Sequence, residues 1–581
     1  MRLEDYWGVG PKTHEALVED LGVERAVSAI EAADVRTLAD AGLSRGRATR
    51  ILRRAGGGEG MGILSTGDTR SVYKECIDLA RRHAVTRDAA DSIRVLTPLA
   101  SREAMEARLD EVTIARESWA SIDPADREAI LAAFDRYDAA GGGERPAVEA
   151  ALELLDVGVT DGPFAPLASL DREGLADAAD ALGALQDGRV APGADERLDR
   201  LRDARAAVET MDANAVDVIE AIRDSEARSP ETLRTTFVDH VRSETDVDAE
   251  RIREAVPEDA RDVTDFVGEA LRGLTADLAT AVDERAREVR VDLQHAISDA
   301  REDVDRAVAA VDDIALQLSL ARFAEAFDCT RPTFVEGEAT VAVEGARNLD
   351  LLARDEDVQP IRYALGDHDL SPPPGDERVA VVTGANSGGK TTLLETVSQV
   401  VVLAHMGLPV PAERAELSVF DDVVFHRRHA SFNAGVLEST LKSVVPPLTG
   451  EGRTLMLVDE FEAITEPGSA ADLLHGLVTL TVDRDAVGAF VTHLADDLEP
   501  LPEEARVDGI FAEGLTADLE LQVDYQPRFD QLGRSTPEFI VSRLVADADD
   551  RVERAGFETL AAAVGEEMVQ KTLVDAEWDD G

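Results

Sequence analysis

The stretch that most constrains this chain is Val379-Ala380-Val381-Val382-Thr383-Gly384-Ala385-Asn386-Ser387-Gly388-Gly389-Lys390-Thr391-Thr392, followed by Leu393-Leu394-Glu395-Thr396-Val397. An apolar run enters a G-x-x-x-x-G-K-T loop, and an apolar-periodic run leaves it, which predicts a buried strand, a tight loop and a helix. Short side chains at Gly384, Ala385, Asn386, Ser387, Gly388 and Gly389 let backbone N–H groups close around phosphates, and the helix start adds partial positive charge. Lys390 is placed to reach β- and γ-phosphates. The hydroxyl of Thr391, with Thr392 beside it, is placed to ligate magnesium. The pattern therefore predicts a site for ATP and Mg2+.

About seventy residues on, Thr454-Leu455-Met456-Leu457-Val458-Asp459-Glu460 gives a second apolar strand ending in two carboxylates. Alone, such a run is only a strand end. At this distance after the loop, Asp459 is expected in the magnesium shell and Glu460 beside the attacking water. Ala489-Phe490-Val491-Thr492-His493 predicts a third strand, with His493 at its tip.

Composition narrows the setting. The 581 residues carry a formal charge of −58, yet 44% are hydrophobic, which argues for folded cores rather than an acidic disordered chain. Only five of the sixty basic residues are lysine (12, 74, 390, 442 and 571). An acid-loaded, lysine-poor surface suits concentrated salt, where the Debye length shrinks to ~3 Å at 1 M, and a halophilic cytoplasm is expected. Cys76 and Cys329 form neither a disulfide framework nor a metal spacing. No signal pattern opens the chain and no long apolar span interrupts it, so no membrane association is expected.

Glycine clusters and a change of periodicity divide the chain. Gly56, Gly57, Gly58, Gly60 and Gly62 close a first module at 1–58. A helical core is expected over 63–193, and lever helices with a coiled-coil arm over 194–325. There Leu198, Leu201, Ala204 and Val208 share one face. Val282, Val289, Leu293, Ile297, Val304, Val308, Val311 and Leu318 describe one long amphipathic helix. The segment between Pro230 and Pro257 looks less regular. Strands and helices alternate over 326–560, the mark of an α/β domain, and an acidic tail follows at 561–581.

With the three motifs in this order, the C-terminal half resembles the ATPase domain of the MutS family, which has an ABC-type fold. The Asn386-to-Thr391 core, Ser431-Phe432-Asn433-Ala434-Gly435-Val436-Leu437-Glu438, Thr465-Glu466-Pro467-Gly468-Ser469-Ala470, and Tyr525 to Leu544 carry the resemblance. It implies that His493 senses the γ-phosphate and that Ser431 reaches nucleotide held by a second subunit of a homodimer. Ala430, Gly435 and Asn348 depart from the family pattern. A Phe-x-Glu wedge and a nuclease domain are not recognisable. The architecture is most similar to the archaeal second-paralogue branch, for which the resemblance implies ATP hydrolysis coupled to non-specific binding of duplex or branched DNA. The competing reading is a nucleotide-switched interaction or chromosome-organising protein with little turnover.

The first module holds nine basic and nine acidic residues, so the whole negative charge lies elsewhere. Gly8, Gly10 and Lys12 sit in one turn between apolar runs. Gly42, Arg45 and Arg47 sit in a second, and the pair resembles a tandem helix-hairpin-helix module. Its helix starts would present N–H groups to DNA phosphates, with Arg45, Arg47, Arg50, Arg53 and Arg54 as a basic patch free of acids. Multidomain architecture is thus expected: an all-α hairpin module, a long helical region and a C-terminal α/β P-loop domain.

Overall fold

The structure, a computed structural model, describes residues 3–564 apart from 32, 57–59, 187, 225–228, 258–259, 376, 385–388, 429–433, 465–466, 516–520, 534–540, 542–543, 546–547 and 549. The chain forms two compact units, one of residues 1–127, 161–163 and 312–581, the other of residues 128–160 and 164–311. Among the described residues no helix is long and apolar enough to cross a membrane.

The second unit is helical apart from a two-stranded hairpin, β1 (Leu185–Gln186) with β2 (Arg189–Val190). Helix Glu196–Ala213 buries Leu198, Ala204 and Val208. Leu198 joins Val282 and Val289 in one cluster, whereas Val208 joins Leu271, Leu274 and Leu278 in another, so it runs antiparallel to helix Val263–Asp299. Arg285 pins the same pair through Asp195, whose carboxyl it holds down at about 2 by a two-pronged hydrogen bond. Two expectations are corrected here. The single long helix is interrupted: one helix ends at Asp299, Ala300 leaves helical geometry (φ −92, ψ 5), and a new helix runs Arg301–Ala326. Neither proline nor glycine marks the break, and the apolar periodicity passes straight through it. The segment between the prolines is also regular, because Ser229 and Asp248 cap helices Pro230–Glu244 and Ala249–Ala255.

The first unit contains two sheets. A four-stranded sheet has order β3-β7-β4-β5, from β3 (Thr333–Phe334), β4 (Val341–Ala346), β5 (Ile361–Leu365) and β7 (Arg414–Leu417). The larger one has order β12-β11-β6-β10-β9-β8. Its strands are β6 (Val379–Gly384), β8 (Asp422–His426), β9 (Thr454–Asp459), β10 (Val487–Val491), β11 (Ala505–Leu515) and β12 (Leu521–Arg528). Strands β8, β9, β10, β6 and β11 are parallel, and β12 closes the edge antiparallel. Residues of β6, β9 and β10 are buried throughout, which is why they read as unbroken apolar runs rather than alternating ones.

The expected helical core of 63–193 is divided between the units. Leu64 bridges in parallel to Val423, and the Thr69 hydroxyl donates to the Val423 carbonyl (3.0 Å) and accepts from the Phe425 N–H (2.9 Å). Residues 64–69 thus cover the open edge of β8, and helix Gly67–Arg81, capped by Thr66, packs in the same core as helix Lys390–His405. Cys76 and Cys329 are free and buried, and burial pushes the Cys329 thiol up to about 12.

The N-terminal module packs Leu3, Tyr6, Val9, Leu17, Ile30, Leu38, Ile51 and Leu52 around one core. It opens with the short 3-10 turn Leu3–Asp5. Helix Pro11–Glu31 is interrupted at Gly22 (φ 74, ψ 165). Helix Val35–Asp40, left-handed Gly42 (φ 84) and helix Arg45–Gly56 follow.

Candidate functional site

The site lies at the carboxyl ends of the parallel strands, where open α/β sheets gather loops. Strand β6 ends at Gly384 (φ 127), paired with Ile510 of β11. A Cβ on Gly384 would stand 2.0 Å from the Ile510 carbonyl, so only glycine fits. Residues Ala385, Asn386, Ser387 and Gly388 lie outside the described residues. The chain resumes at Gly389 (φ 71), against the Tyr525 ring, and enters helix Lys390–His405. Lys390 is buried, and its Nζ donates to the Gly384 carbonyl at 2.8 Å, spanning the two ends of the loop. Burial lowers the Lys390 pKa, opposed by the nearby charges of Glu460, Asp459 and Glu462.

One residue on, Thr391 Oγ1 donates to Asp459 Oδ2 at 2.8 Å. Thr392 follows in the same helix turn, its carbonyl accepting from Thr396. Asp459 closes β9, is 2% exposed, and its Oδ1 has no side-chain hydrogen-bond partner among the described residues. Burial raises the Asp459 pKa, opposed by the Thr391 hydroxyl and reinforced by Glu460. A buried carboxylate oxygen without a side-chain donor among the described residues, beside a hydroxyl and a buried ammonium, is what a hard cation shared with phosphate would complete. Thr391 and Asp459 therefore fit magnesium, which takes one or two carboxylates with phosphate and water rather than an all-protein cage.

Glu460 adopts φ 43, yet its N–H still donates to Val491 on β10 (3.0 Å). Its carboxylate is held from two sides: Oε1 lies 3.2 Å from His493 Nε2, and Oε2 lies 2.7 Å from Arg428 Nη1. Glu462 positions the histidine, since its Oε1 accepts from the Thr492 hydroxyl (3.0 Å) and the His493 N–H (2.7 Å). Thr383 in turn accepts from the Gly533 N–H at 2.7 Å, bringing the chain after β12 against the loop.

The structure thus brings Gly384, Gly389, Lys390, Thr391, Asp459, Glu460 and His493 together. Ser431 lies outside the described residues. Arg428 and Glu462 belong to no motif, and only their positions after β8 and β9 reveal them; Gly533 lies in the Tyr525-to-Leu544 segment that carries the resemblance. Asn348 is buried and caps the short helix Leu349–Leu352, accepting from Asp350 and Leu351.

The expected basic patch of the N-terminal module is split. Arg45 pairs with Asp91 and Asp88 while staying about half exposed, and Arg53 Nε donates to the Arg94 carbonyl (2.7 Å), so these two tie helix Arg45–Gly56 to helix Arg87–Val95. Arg47, Arg50 and Arg54 remain exposed. Gly8 (φ 87) lies against Ile51, and the Gly10 carbonyl accepts from Thr13 and His14, starting the helix that contains Lys12.

Fold and site together define an α/β domain with a lysine-bearing loop after its central strand and acidic groups at the tips of neighbouring strands. Residues 380–445 match MutS domain V. The chain is similar to the DNA-binding protein MutS2 of Pyrococcus furiosus, 46% identical over 219 residues, 37% of this chain and 38% of that protein. It is also similar to the DNA mismatch repair protein MutS 2 of Halobacterium salinarum, 31% identical over 348 residues, 54% and 37% of the two chains. An endonuclease MutS2 of Solidesulfovibrio magneticus is 30% identical over 290 residues, 47% and 35% of the two chains. Each match thus spans well under half of the relative's length. These likenesses support a place in the MutS family, on its MutS2-like side.

Proposed function

We propose that this chain is a DNA-binding ATPase that works as a homodimeric clamp in DNA repair or recombination. The observation that supports it most is the meeting of Lys390, the Thr391–Asp459 pair and the Glu460–His493 pair at one edge of the parallel sheet. In this reading the loop amides and Lys390 bind the β- and γ-phosphates of ATP, and Thr391 with Asp459 hold Mg2+. Magnesium, when bound, neutralises charge on the phosphate oxygens. Glu460 orients the attacking water. His493, fixed by Glu462, reports on the γ-phosphate, and Ser431 reaches nucleotide on the second subunit. Relatives named as DNA-binding and mismatch repair proteins support DNA as the partner, duplex or branched, and the N-terminal module is the element proposed to grip it. A cytoplasmic location and molar salt are part of the same proposal.

Glu460→Gln separates turnover from switching. ATP should still bind, while steady-state hydrolysis in molar KCl falls by at least about a hundredfold, the scale of a lost acid–base group. Hydrolysis at the parental rate would remove Glu460 from the chemistry, and negligible hydrolysis by the parent itself would leave the nucleotide-switch reading in its place.

A further inference from the structure

We infer that Trp7, with Arg47, Arg50 and Arg54, binds DNA where duplex passes into single strand: the arginines follow phosphates and the indole stacks on the first unpaired base. The inference rests on reading the N-terminal module as a DNA-binding element and names the DNA structure that element takes. Its starting point is the division of five arginines on one helix. Arg45 and Arg53 are engaged by Asp88, Asp91 and the Arg94 carbonyl. Arg47, Arg50 and Arg54, spaced three and four apart, form one exposed stripe. At about 1.5 Å per residue the stripe is ~10 Å long, about three nucleotide rises of a strand.

Trp7 stands at the end of that stripe. Trp7 is 55% exposed, although Tyr6 and Val9 on either side are buried in the module core. Gly8 presses the turn onto Ile51, where a Cβ would sit 3.1 Å from the Ile51 side chain, so the indole is carried on a fixed loop. The Arg54 guanidinium lies 4.6 Å from the ring centroid. One face of the indole is therefore held by a cation–π contact, and much of the ring is left to solvent. Such a platform suits a nucleobase, because every base offers a π-face and stacking needs no sequence match. In concentrated salt, counterion release contributes little, and stacking supplies a share of affinity that does not depend on it.

The test uses the full chain and end-labelled DNA, with fluorescence anisotropy at low and molar salt. One substrate is a blunt duplex; the others are the same duplex with a single-stranded extension at either the 3′ or the 5′ end. At least one extension should bind about tenfold tighter than the blunt duplex, one base's worth of stacking. Trp7→Ala should abolish that preference and leave blunt binding unchanged, whereas Trp7→Phe should keep most of it. Joint replacement of Arg47 and Arg50 by Gln should weaken all substrates alike. Equal binding of blunt and extended duplex, or a preference that survives Trp7→Ala at unchanged melting temperature, overturns the inference. Failure to bind any of the DNAs overturns the DNA-binding reading of the module itself.

Discussion

Asp459→Asn should separate the stability of the fold from the function of its site. Asp459 is buried, accepts a hydrogen bond from the Thr391 hydroxyl, and its Oδ1 has no side-chain partner among the described residues. Its folded-state pKa is raised, chiefly by burial. The sign follows: the protonated form contributes stability below the unfolded carboxylate range, and that contribution is lost as pH rises through the folded pKa, so at neutral pH the ionised group costs stability. An asparagine Oδ1 still accepts from Thr391, while the charge and its repulsion with Glu460 disappear. The gain should be about 1 kcal/mol, or about 2–4 °C for an α/β part of this size. Mg-ATP at about a hundred times its dissociation constant should raise the melting temperature of the parent by about 5–10 °C, from ~2.7 kcal/mol of linkage. In Asp459→Asn the magnesium-dependent part of that shift should vanish. Thermal unfolding in molar KCl, with and without Mg-ATP, reads both effects. A variant that melts several degrees lower without nucleotide, or that keeps the full shift, would refute the placement of Asp459.

Two further variants probe the scaffold. Arg506→Ala leaves Asp508, buried and bonded to Arg506 Nε at 3.0 and 3.1 Å, without its counter-charge; melting should drop by about 10 °C, from ~3–5 kcal/mol, and Arg506→Met with Asp508→Leu should recover most of it. Arg45→Ala should cost about 1 kcal/mol by removing one of the two arginines that pair with buried Asp91, with Asp91→Asn partly compensating, and DNA affinity should change little because Arg45 is engaged by Asp88 and Asp91. A silent Arg45→Ala, or one that lowers DNA affinity as strongly as Arg47→Gln, would contradict the split of the arginine patch.

The strand-loop-helix at 379–397 was legible because each requirement is local: a strand buried on both faces needs an unbroken apolar run, and Gly384 is fixed by the closeness of β11. Asp459, Glu460 and His493 were legible because parallel strands end at one edge, so position along the chain maps onto position in space. Arg428 and Glu462 were not, since each acts through a partner that only the sheet order brings near. The pairing of residues 64–69 with β8 leaves no signal beyond one leucine and two threonines. The break at Ala300 escaped the periodicity for a related reason: a one-residue departure from helix geometry leaves the apolar spacing intact. The pairing of Arg45 depends on Asp88 and Asp91, which lie in a helix outside the charge-balanced 1–58 module.

Binding of Mg-ATP to the purified full chain in molar KCl, followed by titration calorimetry, bears most directly on the whole account. One nucleotide should bind per chain. Lys390→Ala, which removes a buried ammonium from the phosphate loop, should weaken that binding by at least about thirtyfold, the lower end of losing a buried charge partner. No heat of binding in the parent, or equal affinity in Lys390→Ala, would contradict it.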